Sequence, residues 1–205
     1  MKKTAFSLLA FLSFSFSALR AQIGAQLSLV APTGYYSYLL KPGVSFEIVG
    51  KYGEADSYYS FGASIGYFSL SATQDTFHNT YGVGGPNNAL CPGYSVIHSF
   101  EELSFGITND LKLMPTKKFS PVIGCDLNFS GIQISEDDYA ETLELSSDNG
   151  EDYWLISIVP RIGLQYKIND KFFLSAFFGR SLSFVGTANA QQYDKTSICF
   201  QYSLE

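Results

Sequence analysis

Residues 154–166 alternate between an apolar series and a mixed one. Trp154, Ile156, Ile158, Ile162, Leu164 and Tyr166 form one series, nearly all apolar, and Ser157, Arg161, Gly163 and Gln165 fall in the other. A β-strand turns successive side chains to opposite faces, so one face of this segment meets an oily phase and the other does not. The same period of two predicts seven further strands, at 22–30, 42–52, 57–70, 96–113, 119–132, 171–184 and 196–205. No apolar run after residue 21 reaches the roughly 20 residues that a membrane-spanning helix requires.

The first residues have a different character. Lys2 and Lys3 precede a phenylalanine- and leucine-rich run over 5–19, the pattern of a cleavable signal peptide. Cleavage is expected after Ala21, which divides the chain into a signal peptide, 1–21, and a single β-domain, 22–205. No cysteine follows the apolar run, so an N-terminal lipid anchor is not expected.

The connections between predicted strands sort by length. Those after the second, fourth and sixth strands are short, at 53–56, 115–118 and 169–170. Those after the first, third, fifth and seventh are long, at 31–41, 71–95, 133–152 and 185–195. Short turns on one side and long loops on the other are the habit of bacterial outer-membrane barrels. The fold expected is all-β: an eight-stranded antiparallel up-and-down transmembrane β-barrel in the cell outer membrane. Tyr52, Tyr59, Phe119, Tyr166, Phe172 and Tyr202 fall near the short turns, and Tyr67, Phe100, Trp154 and Phe184 near the long loops, as two aromatic girdles would. Gly62, Gly66, Gly106, Gly124, Gly163 and Gly179 fall on the inner series. Eight strands leave a lumen only wide enough for side chains, so these small residues prevent overfilling, and no wide pore is expected. Arg180 interrupts the lipid-facing series of the seventh strand, where it could reach lipid phosphates or be turned inward by a bulge. Pro160 suggests a bulge in the sixth strand.

Charge is unevenly placed. Without Lys2, Lys3 and Arg20 the chain keeps ten basic residues against 19 acidic ones, and eight of those acids lie within 136–152: Glu136, Asp137, Asp138, Glu141, Glu144, Asp148, Glu151 and Asp152. They are read as an acidic extracellular loop. Clustered carboxylates could chelate calcium, but the spacing is not that of an EF-hand, and no metal or cofactor is expected. With no basic patch to displace phosphate counterions, a nucleic-acid partner is not expected. Cys91, Cys125 and Cys199 have unrelated spacings, and no disulfide framework is readable. Glu47, Glu102, Asp126 and Arg161 share the inner series. Charges in so narrow a space must be paired, so Arg161 is expected to bridge at least one of the carboxylates in a lumen ion network. Catalytic residues are not expected: His98 and Ser99 are adjacent in a strand and so point to opposite faces.

These residues resemble a known group, the small outer-membrane β-barrel domain proteins of Bacteroidetes-type bacteria. The likeness lies in Ala21-Gln22 after the signal, in the strand Phe61-Gly62-Ala63-Ser64-Ile65-Gly66-Tyr67, and in the hairpin running from Gly163-Leu164-Gln165-Tyr166 through Asn169-Asp170 to Phe172-Phe173-Leu174. The resemblance implies a porin-like envelope protein without enzymatic activity. Its partners would be outer-membrane lipid and lipopolysaccharide, the barrel-assembly machinery, and an extracellular partner that the residues leave unnamed. A small channel, or a subunit of a transport or secretion complex, is the alternative.

Overall fold

The computed structural model of the protein describes residues 21–34, 36–54, 56–73, 77–82, 90–140, 143–148, 151–185 and 192–204. The predicted signal peptide lies outside them except for Ala21, which opens the first strand. The strands among the described residues are β1 (Ala21–Pro32), β2 (Gly43–Tyr52), β3 (Tyr59–Leu70), β4 (Phe77–Gly82), β5 (Leu90–Lys112), β6 (Phe119–Ala140), β7 (Leu143–Asp148), β8 (Glu151–Lys167), β9 (Phe172–Arg180), β10 (Leu182–Val185) and β11 (Tyr193–Ser203). Eight of them pair in the circuit β1-β2-β3-β5-β6-β8-β9-β11, and β11 returns antiparallel to β1. The result is a closed eight-stranded antiparallel β-barrel with no free edge around its waist.

Side-chain direction follows the alternation. Phe61, Ile65, Phe105, Phe129, Ile162 and Phe178 point outward and are 40–63% exposed. Their sequence neighbours Gly62, Gly66, Gly106, Asn128, Arg161 and Gly179 are buried in the lumen. A continuous apolar exterior of this extent is far beyond what a water-soluble monomer displays, and it is the surface a barrel offers to acyl chains.

Three expectations are corrected. The connection 71–95 is not an irregular loop: it holds β4 and the first part of β5, which pair with each other from Phe77↔Ser95 to Gly82↔Leu90. The acidic segment likewise continues the sheet. Glu136, Asp137 and Asp138 belong to β6, Glu144 and Asp148 to β7, and Glu151 and Asp152 open β8; Asp137 stands in register with Asp148. Glu141 lies outside the described residues. These segments lack the one-sided apolar series that marks the barrel strands, so the period of two gives no signal there.

The third correction concerns Pro160. It lies outward in unbroken register with Cys125, without a bulge. Its effect falls on the other neighbour. The ladder to β9 stops at Arg161↔Gly179 and resumes as β10 at Ile158↔Leu182, with two residues skipped on each strand. A residue without an N–H cannot donate at that point, and β10 is the continuation of β9 beyond the gap. Arg180, opposite Pro160, keeps its outward direction and grips Asp194 of β11 with two hydrogen bonds, of 2.6 and 2.9 Å.

At the short-turn end the connections are tight. Gly53 adopts φ 130°, a conformation open to glycine. Asn169 Oδ1 accepts from the backbone N–H groups of Lys171 and Phe172 at 2.9 and 2.8 Å. Phe119 packs on Tyr166 at 4.7 Å between ring centroids, and Phe172 on Tyr202 at 5.1 Å. Lys167 lies 3.1 Å from Asp170 and 3.2 Å from Asp56; these carboxylates, Asp170 foremost, hold its ammonium above the ordinary lysine range.

Candidate functional site: a filled and capped lumen

The inner face carries the polar residues that the alternation requires, and it gathers them into separate clusters. Arg161 of β8 is the hub of the largest. Its guanidinium lies 2.8 Å from Asp110 and 3.1 Å from Asp126, and Lys51 of β2 reaches the other oxygen of Asp110 at 2.6 Å. The contact with Asp110 has hydrogen-bond geometry, whereas that with Asp126 is an ion pair off the hydrogen-bond angle. The Phe177 ring lies beneath both cations, 4.7 Å from the Arg161 guanidinium carbon and 5.6 Å from Lys51 Nζ, a favourable approach of positive charge to a ring face.

Glu47 lies apart from Arg161. It accepts from Gln26 at 2.9 Å and from Ser45 at 3.3 Å, and it pairs with Lys195. Glu102 forms a third cluster, in which Ser130 donates to it at 2.7 Å and the Tyr193 phenol is a further hydrogen-bonding neighbour. Of the four inner charges singled out in the sequence, Arg161 and Asp126 are therefore brought together, and Glu47 and Glu102 take other partners. Asp110, Lys51, Lys112 and Lys195 complete the described lumen set at four acids and four bases. Charge balance could have signalled the missing members: three carboxylates cannot be buried on one guanidinium, and Lys51 and Asp110 share the inner series.

The long side chains are accommodated by glycines standing opposite them on the next strand. Asp110, Gly124, Arg161, Gly179 and Lys195 follow one another around the wall in register. A Cβ built on Gly124 would collide with the Asp110 carboxylate and come within 2.7 Å of Arg161 Nε. Glu47 similarly stands opposite Gly66, Lys51 opposite Gly62, and Asn128 opposite Gly106. Cys199 points into the lumen and Cys125 outward, and both are free thiols.

Toward the long-loop end the lumen changes character. Val30, Phe68, Leu70, Phe100, Ile132, Leu155 and Tyr193 converge into an apolar cluster, which Leu40 of the first long connection completes. A bridge to Ala72 and the Lys41 N–H to Ser71 carbonyl bond of 2.8 Å pin that connection in place. Phe100, expected in the outer girdle, is thus a plug residue, stacked 6.2 Å from Phe68. Two voids in the lumen, one beneath Leu40 and one beside Arg161, measure about 10 Å³ each, space for about a single water. The barrel is filled by ion pairs at its waist and stoppered by hydrocarbon above them.

This arrangement, apolar outside and paired charge inside, defines an eight-stranded barrel of the transmembrane type. Solved structures of that type are similar. Neisserial surface protein A superposes with a TM-score of 0.58 at 12% identity, over 90% of this chain and 97% of that one. The attachment invasion locus protein Ail of Yersinia pestis, in complex with the heparin analogue sucrose octasulfate, gives 0.49 at 15% identity, over 90% and 97%. At these identities the likeness is one of fold. No protein-family model matches the chain, and no curated protein matches it by sequence.

Proposed function

We propose that this protein is an exported, non-enzymatic β-barrel of the cell outer membrane, whose work is done by the strands that rise above the bilayer. Its leader, 1–21, would be removed on export, and the barrel-assembly machinery would insert the remainder. The observation that carries the reading is the closure of the lumen. Among the described residues, acids and bases balance at the waist and the cluster around Phe68 and Phe100 fills the long-loop end, which argues against a route for a solute. What remains available to partners is the sheet beyond the membrane. Residues 90–100 of β5 alone extend for roughly 35 Å of strand, with β4, β7 and the upper part of β6 alongside. This acidic platform would contact lipopolysaccharide and an extracellular partner.

Planar-bilayer recording on the refolded chain tests the reading. No stepwise conductance is expected, and protease added to intact cells should cut within the β4–β5 and β6–β7 hairpins while sparing the barrel. Reproducible channel openings would instead support the small-channel alternative.

A further inference from the structure

Two neighbouring rows of outward positions mark the upper boundary of the apolar belt. Tyr67, Leu103, Gly131 and Trp154 stand in register across β3, β5, β6 and β8. One pleat nearer the loops the same strands present Ser69, Glu101 and Gln133, with Asp152 at the matching register position of β8. One pleat the other way lie Ile65, Phe105, Phe129 and Ile156, all apolar. The change from hydrocarbon to polar within two pleats places the middle row at the level of lipid headgroups, where amphipathic rings reside.

That row has a notch in it. Gly131 contributes no side chain, and the Trp154 indole lies across it, with ring carbons 3.6 Å from where a Cβ would be. The resulting outer cavity, about 290 Å³, is bounded by Trp154 on one side and Tyr67 on the other, with Glu101 and Gln133 at its upper lip. Trp154 is 79% exposed. The Tyr67 phenol and the Glu101 carboxylate are hydrogen-bonding neighbours at the edge of this cavity. The residues lining the cavity include one carboxylate, two aromatic rings and no lysine or arginine.

We infer that this notch binds the ammonium group of a membrane lipid headgroup. An alkylammonium is attracted electrostatically by the faces of Trp and Tyr rings and pairs directly with a carboxylate, and residues of all three types line one small cavity at headgroup depth. The inference rests on the membrane reading above, since it takes the ligand from the bilayer.

Trp154 is the chain's single tryptophan, so its own fluorescence reports the site. The full mature chain is placed in phosphatidylglycerol nanodiscs doped with increasing phosphatidylethanolamine, or with N-acetyl-phosphatidylethanolamine, which lacks the charge. A saturable change is expected with the amine lipid and none with the acetylated one. Glu101→Gln, a surface change, should weaken the response about two- to fivefold, as expected for the loss of an exposed charge pair. Tyr67→Leu should weaken it as well and leaves the reporter intact. An equal response to the acetylated lipid, an unaltered titration in Glu101→Gln, or full reproduction by free ethanolamine at the same concentration would each overturn the inference. Brominated phosphatidylglycerol separates failure of the headgroup site from failure of the membrane reading. If it quenches Trp154 while the amine lipid has no effect, this inference alone fails; if it does not quench, the membrane reading fails and this inference with it.

Discussion

Replacing Asp110 with alanine is expected to lower barrel stability by about 3–5 kcal/mol, the cost of stripping a buried ion cluster of one partner. Asp110 is 2% exposed and meets Arg161 on one oxygen and Lys51 on the other. Its loss leaves two cations in a low-dielectric lumen with Asp126 as their remaining described carboxylate, itself off the hydrogen-bond angle. The effect is readable as a shift in urea-unfolding midpoint for protein folded into thin bilayer vesicles. Adding Lys51→Met to Asp110→Ala should restore part of the loss, because it rebalances charge without opening a large cavity. This coupling distinguishes an ion-pair effect from lost packing. An Asp110→Ala barrel that unfolds at the wild-type midpoint would mean the cluster contributes nothing.

The second large effect is expected at Gly124, where valine should cost at least about 3 kcal/mol, overpacking being added to a disturbed ion pair. The new side chain would enter the space that Asp110 and Arg161 share, and these two are joined across this very position. Gly50, on the outward series, supplies a contrasting position. It lies on β2 with open space around an added Cβ. Gly50→Ala should therefore be neutral or stabilising by up to about 1 kcal/mol, through the smaller entropy lost on folding. If both substitutions behaved alike in the urea titration, the lumen would not be packed as described.

These two glycines show what alternation does and does not reveal. The inner placement of Gly62, Gly66, Gly106 and Gly124 is readable from the period of two, because lipid on one side imposes an apolar residue at every second position. Their pairing with particular long side chains is not, since it depends on register between strands far apart in sequence. Gly124 meets Arg161 only because β6 and β8 align as Cys125↔Pro160. Asp110 and Lys51 lay on the inner series from the start, and their membership of the Arg161 cluster emerges only when the ladder is drawn.

The errors have physical causes as well. Phe100 shares its parity with Glu102 and so points inward, yet its residue type and position near the long loops suggest a girdle. The misreading arises because the upper lumen is hydrocarbon, where a polar interior is the usual rule. The acidic residues 136–152 look like a loop because they carry no one-sided apolar series. Their strand character comes from pairing with one another. At Pro160 a bulge and an interrupted ladder satisfy the missing donor equally well in one strand's sequence, and the neighbouring strand decides between them.

Everything above depends on the outward series facing acyl chains. Phospholipids that carry a diazirine in the acyl chain, activated by light around the reconstituted native protein, test this directly once the adducts are mapped by mass spectrometry. Adducts are expected at Ile65, Phe105, Phe129 and Phe178 and not at their neighbours Gly66, Gly106, Asn128 and Gly179. Labelling of the inner series, or a protein that remains in solution and takes no label, would contradict the account.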